Sequence, residues 1–77
     1  MTVYETDLIL YTRKGCSLCE KAEKLLLERQ LPFKSVDIGR NVILEGQYGF
    51  DVPVLARGEV TLLKGVFSVA RLEKIGL

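Results

Sequence analysis

Cys16 and Cys19 are the only two cysteines in the chain, and they stand three positions apart in Cys16-Ser17-Leu18-Cys19. They follow the apolar run Leu8-Ile9-Leu10-Tyr11 and open a stretch with helical spacing. A pair this close makes a poor structural staple. In the chain-entropy view, closing a loop of roughly four residues stabilises a fold by about 2 kcal/mol, against about 3 for fifteen. A domain that needed stapling would spread its cysteines. Two thiols at a strand-to-helix junction favour redox chemistry over stability.

The rest of the composition narrows the setting. Seventy-seven residues are expected to form one domain spanning 1–77, burying only about 60% of the unfolded chain's surface. A hydrophobic fraction of 48% supplies a core, so disorder is not expected. Lys and Arg number 11 and Asp and Glu 10, which argues against a nucleic-acid or anionic-membrane partner, since both need a basic footprint. The chain has no histidine, so a Cys–His dyad or a His-containing metal site cannot be built from it. Met1-Thr2-Val3-Tyr4-Glu5-Thr6-Asp7 carries acids where a secretory leader needs positive charge and a long apolar stretch. No apolar run approaches the roughly 20 residues of a membrane span. The expected compartment is a reducing cytoplasm, where vicinal thiols are catalytic or metal-binding rather than structural.

Leu8 to Tyr11 suits a strand buried on both faces of a parallel or mixed sheet. Arg13-Lys14-Gly15 turns out of it. From Ser17 to Gln30 the spacing is helical, with Leu18, Ala22, Leu25 and Leu26 on one face. Ser17 and Glu20 are positioned for a capping box, and Glu20 and Lys24 for an i,i+4 pair. Leu31-Pro32 breaks the helix, and Phe33 to Ile38 alternates as a second strand. Gly39-Arg40-Asn41 turns the chain into a weaker helix, Asn41 to Tyr48, in which Gly46 costs about 1 kcal/mol against alanine. Val54-Leu55-Ala56 and Val60-Thr61-Leu62-Leu63 flank a hairpin turn centred on Gly58-Glu59. Ser68 is placed to cap a last helix, Val69 to Ile75, which Gly76 ends. The expected fold is therefore α/β, in the order β-α-β-α-β-β-α, with a four-stranded mixed sheet and three helices.

Disulfide exchange needs a thiolate that attacks, a second thiol that resolves, and a geometry that lets them bond. Cysteines three apart at a helix start share one face. Unpaired N–H groups in the first helical turn favour an anion there, and C-x-x-C sites reach pKa values of roughly 3.5 to 7.5. Cys16, ahead of the helix body and beside Arg13 and Lys14, is expected to be the nucleophile. Cys19, one turn in, is expected to be the more buried, resolving thiol. A zinc site needs about four ligands, which a lone pair of cysteines supplies only through a dimer. Val52-Pro53 is the second constellation: a proline opening a strand is tolerated there. With a cis bond before it, the Val52 carbonyl and N–H would face the cysteine loop and pair with an extended substrate.

With these residues in view, the whole chain resembles a thioredoxin-fold protein of the glutaredoxin-like branch. Leu10-Tyr11-Thr12-Arg13-Lys14-Gly15-Cys16-Ser17-Leu18-Cys19 is similar to the glutaredoxin active-site stretch. Tyr11 and Arg13 stand where that stretch has its tyrosine and its basic residue, and Asp51-Val52-Pro53 stands where it has Thr-Val-Pro with a cis proline. Arg40 matches a basic or amide position that in glutaredoxins holds a glutathione carboxylate. The resemblance is closest to a small glutaredoxin-like bacterial family of Cys-x-Leu-Cys type, and extends to the short redoxins that serve ribonucleotide reductase. It implies a thiol–disulfide oxidoreductase and electron carrier acting on protein or glutathione mixed disulfides. Tyr11, Arg13, Lys14, Arg40, Val52 and Pro53 would form the substrate-binding surface. No tightly bound cofactor is implied, with glutathione as a possible co-substrate. The implied partners are disulfide-containing proteins and a reductase or glutathione as donor, with the chain acting as a monomer.

The departures bear on the donor. Leu18 replaces the aromatic that glutaredoxins usually carry before the second cysteine. Their Gly-Gly and Asp-Asp segment, which binds the amino end of glutathione, is replaced by Leu63-Lys64-Gly65-Val66-Phe67-Ser68, which has no acid. Weak glutathione dependence is therefore expected. Thioredoxin's Trp-Cys-Gly-Pro-Cys is absent, and Leu10 stands where that protein has its buried Asp. Each secondary residue also has a plainer role: Arg13, Lys14 and Arg40 as solvated charges, Tyr11 as strand core, and Phe67 as packing beneath the last helix. Two further readings stay open at this point. One is a [2Fe–2S] or metal carrier, with Cys16 from two copies and glutathione as ligands. The other is a non-catalytic binding module that uses an apolar patch near Val52, Pro53 and Phe67.

Overall fold

The computed structural model describes residues 7–77, so the acidic N-terminal segment considered above lies outside the described residues except for Asp7. β1 (Leu8–Thr12) is a central strand with β2 (Lys34–Asp37) on one side and β3 (Val54–Arg57) on the other, and β4 (Val60–Lys64) lies beyond β3. β2 runs parallel to β1, with Thr12 opposite Asp37. β3 is antiparallel to β1, with Tyr11 opposite Val54, and β4 is antiparallel to β3. A parallel neighbour requires a crossover, and α1 (Ser17–Glu28) supplies it. A 3₁₀ turn (Ile38–Arg40) and α2 (Val42–Tyr48) lead back to β3, and α3 (Val69–Lys74) closes the chain. The expected order of elements and the mixed sheet are both present.

Strand alternation divides the molecule into two layers. Leu8 and Leu10 of β1, Leu55 of β3 and Leu63 of β4 form one buried cluster with Ala22 and Leu26 of α1 and Leu72 of α3. On the opposite pleat, Tyr11 stacks on Tyr48 of α2, with ring centroids 4.3 Å apart. Val54, Ala56 and Ile38 are also fully buried. α1 and α3 thus cover one face of the sheet, and α2 lies against the other.

Element ends differ in detail from the expected ones, for local reasons. Cys16 caps α1 rather than Ser17, so the Ser17–Glu20 capping box does not form. Leu18, expected on the apolar face, is exposed, and Cys19 is buried in its place. α1 ends in a Schellman motif, in which Leu31 N–H donates to the Leu26 carbonyl and Gln30 N–H to that of Leu27. Gln30 takes the left-handed conformation there, at φ 58°. β2 stops at Asp37 because the Asp37 carboxylate accepts the Gly39 N–H at 2.8 Å and starts the 3₁₀ turn. Ser68 caps α3 as expected, but only Leu72 of Val69, Leu72 and Ile75 is buried. Gly76 closes that helix with a second Schellman motif, which folds Leu77 onto the core. Phe67 packs against the same core.

Two substitutions test this account of local stability. A Cβ added at Gly46 of α2 would meet nothing within 4 Å. Gly46→Ala is therefore expected to stabilise by about 0.5–1 kcal/mol. Gln30→Gly relieves a left-handed side chain and is expected to gain about 0.5 kcal/mol after the entropy that glycine adds to the unfolded chain. Denaturant midpoints read both, and a fall in either would contradict the assignment.

Candidate active site

The site is built where β1 hands over to α1. After Thr12, the loop Arg13-Lys14-Gly15 turns through Gly15 at φ 79°, a backbone conformation suited to glycine. The Cys16 N–H donates to the Arg13 carbonyl at 3.2 Å, and the Cys16 carbonyl accepts the Glu20 N–H at 3.1 Å, the first bond of the helix. Cys16 is extended (φ −91°, ψ 111°), as an N-cap must be. Its Sγ accepts the Cys19 N–H at 3.1 Å. A sulfur thus fills the place of the usual cap oxygen, where an otherwise orphaned N–H and the helix dipole favour negative charge. The C-x-x-C spacing is the spacing from N-cap to N3, which puts the two side chains on one face.

The thiols differ in exposure. Both are free; Cys16 is half-buried and Cys19 is buried at 3% exposure. Burial pushes the Cys19 thiol up to about 11, and the hydrogen bond and charge of Cys16 push the same way, while the Arg13 backbone and guanidinium pull it partly back. A resolving thiol that stays protonated until needed has this character.

The structure brings some of the expected site residues together and not others. Arg13, Lys14, Cys16 and Cys19 line a common cleft of about 230 Å³ with Thr12, Gly15, Glu20, Glu23 and Asp37. Arg13 is not a solvated loop charge. Its Nη1 donates to Glu45 Oε2 at 3.1 Å, its Nη2 donates to the Gly49 carbonyl at 2.8 Å, and the guanidinium forms an ion pair with Glu45. Tyr11 is half-buried against Tyr48 and does not line the cleft. Arg40 is exposed at the end of the 3₁₀ turn, also outside the cleft.

Val52 and Pro53 precede β3, next in register to the pair Tyr11–Val54, and so lie at the sheet end from which the cysteine loop leaves. The Val52–Pro53 bond is cis. The Val52 N–H, expected to be open to a substrate, instead donates to the Tyr48 carbonyl at 3.2 Å as the chain leaves α2. Pro53 is buried and its carbonyl accepts the Gly65 N–H at 3.0 Å. The binding surface expected from Val52 is therefore reduced to its carbonyl.

Sequence reading missed Thr12, Glu20, Glu23 and Asp37 as cleft residues. Glu20 falls four residues after Cys16 and Glu23 four after Cys19, on the same side of α1, and Asp37 reaches the cleft because β2 pairs with β1 in register. Among the described residues, no cluster of three His, Cys, Asp or Glu side chains is arranged to hold a metal ion.

Residues 7–75 match the model of the family described as glutaredoxin-like domain (DUF836). The chain belongs to this glutaredoxin-like family. A curated protein of Bacillus subtilis (strain 168), N-acetyl-S-hydroxy-L-cysteine reductase, is 29% identical over 68 residues, covering 82% of this chain and 73% of that one. The crystal structure of a structural-genomics target protein from X. campestris superposes with a TM-score of 0.78 at 38% identity, over 87% of this chain and 91% of that one. A solution structure of a protein from Nitrosomonas europaea does so with a TM-score of 0.68 at 25% identity, over 96% and 94%. The glutaredoxin-like fold, the family and a relative named as a reductase agree on a redox role.

The elevated thiol of Cys19 has a consequence for the glutaredoxin-like domain's stability. A folded-state value above the unfolded one means the native state holds its proton longer. The stabilisation is complete below the ordinary thiol value near 9 and is lost as pH rises toward about 11. Reduced protein is therefore expected to lose stability across that window. Cys19→Ala, whatever its constant cost, should lose less over the same window when denaturant midpoints are compared. Parallel profiles would show that Cys19 is not held protonated.

Proposed function

We propose that the chain is a dithiol–disulfide oxidoreductase of glutaredoxin type, in which Cys16 attacks and Cys19 resolves. The observation that carries this is the capping geometry: the Cys16 sulfur accepts the N–H of Cys19, while the Cys19 thiol is buried behind it and shifted upward. One sulfur sits at the helix cap within reach of a client, and the other is buried and held protonated.

In the first step, the Cys16 thiolate attacks one sulfur of a client disulfide R–S–S–R′. The Cys16–S–S–R bond forms, the client S–S bond breaks, and R′S⁻ leaves and takes a proton. Cys19 then gives its proton to solvent and attacks the Cys16 sulfur, so that the Cys16–Cys19 disulfide forms and RS⁻ leaves and takes a proton. Two electrons have passed to the client, and solvent mediates the protons that the two product thiols take up. An external dithiol reductase or glutathione restores the pair, in a reducing compartment such as the cytoplasm.

Protein disulfides are the favoured clients. With Arg13 paired to Glu45, the remaining charged residues of the cleft are Lys14 against Glu20, Glu23 and Asp37. This balance, with the acid-free segment Leu63–Ser68, supports weak use of glutathione, which carries two carboxylates. A second reading comes from the name of the Bacillus subtilis relative. The same thiolate can attack the sulfur of an S-hydroxy-cysteine, forming the mixed disulfide and expelling hydroxide, after which Cys19 releases the free thiol.

The test is direct. Cys19→Ser is expected to trap a mixed disulfide at Cys16, and Cys16→Ser to reduce turnover to background. Alkylation near neutral pH is expected to label one thiol per chain, Cys16. A failure of Cys19→Ser to accumulate the mixed disulfide, with both thiols equally slow to alkylate, would remove the proposal. In a coupled assay, turnover with thioredoxin reductase as donor is expected to exceed turnover with glutathione and glutathione reductase. Robust turnover on glutathione alone would refute the donor assignment.

A further inference from the structure

α2 is the least anchored helix of the fold. It has no fully buried residue, Val42 and Ile43 are largely exposed, and Gly46 sits in its middle. Two side chains from the end of β1 reach it: Tyr11 stacks on Tyr48, and Arg13 grips Glu45 and the Gly49 carbonyl. Gly49 has no room for a side chain, since a Cβ there would lie 2.5 Å from the Glu45 carbonyl oxygen and 3.3 Å from Arg13 Nη2. The guanidinium is thus seated by a carboxylate and a carbonyl together, in a pocket closed to anything larger than glycine.

Arg13 is also part of the dithiol site. Its carbonyl accepts the Cys16 N–H, it lines the cleft together with both cysteines, and its charge pulls the Cys19 thiol downward. The loop between Arg13 and Cys16 contains Gly15 at positive φ and has no fully buried residue. Whatever holds Arg13 therefore holds the entry to α1.

We propose that Glu45 is a positioning residue of the dithiol site: by seating the Arg13 guanidinium against the Gly49 carbonyl, it fixes the 13–16 loop and offsets the charge of a cation that lines the cleft with the two cysteines. This inference rests on the dithiol reading above and adds a residue from α2 to it. Glu45 touches neither sulfur and acts through Arg13.

The charge part of this role has a definite sign. The charged and titratable groups around the sulfurs are Arg13 and Lys14 from the loop, Glu20 and Glu23 from α1, Asp37 from β2, and each cysteine for the other. Glu45→Gln keeps the shape and one oxygen acceptor for Arg13 but removes the compensating negative charge. The guanidinium then acts uncompensated across the cleft and favours the thiolate. In a Cys16→Ser background, which isolates Cys19, Glu45→Gln is expected to move the Cys19 thiolate titration to lower pH by about half a unit, a size set by partly solvated charges. Glu45→Asp keeps the charge and should leave the titration close to its parent. Arg13→Gln removes the cation and should move it to higher pH.

The experiment follows thiolate absorbance against pH in the full chain for these variants, with thermal unfolding in parallel. Opposite shifts for Glu45→Gln and Arg13→Gln, with recovery in Glu45→Asp, support the inference. Titrations that coincide while the melting points fall would mean the pair only braces α2, and would overturn it. Should Glu45→Gln not fold, the Arg13→Gln titration decides alone, and a lack of upward shift overturns the inference. Disulfide turnover by the unmodified chain is measured separately: its absence removes the dithiol reading, whereas normal turnover with unmoved titrations removes only the role of Glu45.

Discussion

The hydrogen bond from the Cys19 N–H to the Cys16 sulfur is the contact on which the site depends. It does two things at once. It satisfies an N–H that the start of α1 would otherwise leave unpaired, and it fixes the Cys16 sulfur beside the backbone of Cys19, the partner with which the proposed exchange would pair it. Because cap and partner are the two cysteines themselves, the helix cannot begin in this way without also assembling the redox pair. Stability of the first turn and readiness for exchange are properties of one contact.

The sheet explains why that contact can be placed so well. β1 is flanked on both sides, paired in parallel with β2 and antiparallel with β3, and its Leu8 and Leu10 are buried beneath α1 and α3. Thr12 therefore ends on a framework with little freedom, and only three loop residues separate it from Cys16. Parallel pairing also carries Asp37 to the same end of the sheet, which is how the edge strand contributes to the cleft. α1 is held from its other end by Arg29, whose guanidinium donates to the Leu77 carbonyl at 2.9 and 3.2 Å.

What was legible in the sequence follows the range over which each interaction works. The C-x-x-C pair was readable because N-cap and N3 are neighbours in sequence, and so was the order of elements, which rests on periodicity and turn residues. The capping residue was misplaced by one position because serine oxygen is the commoner acceptor and a cysteine sulfur took the role. Arg13 could be recognised as a cation near the thiols. Its partners could not, because Glu45 and Gly49 lie 32 and 36 residues away and meet it only after β3 and α2 are in place. The N–H of Val52 was lost for a different, local reason: a helix read as stopping at Tyr48 continues to draw donors into its last carbonyls.

The long-range contacts share a direction. Tyr11 and Arg13, both at the end of β1, reach across to α2, while Cys16 and Cys19 start the helix on the other face of the sheet. The dithiol is thus flanked by a firmly packed helix, which begins at the cysteines, and a lightly packed one, which holds the Arg13 guanidinium. In such an arrangement the core can be kept rigid for stability while the electrostatics of the site are adjusted through a surface ion pair. A half-buried ion pair contributes less to folding than the apolar core does. The proposed effect of the Arg13–Glu45 pair on the site runs through Arg13, whose charge pulls the buried Cys19 thiol downward. The residues that set the chemistry of a small redox domain can therefore lie on the element that matters least to its core.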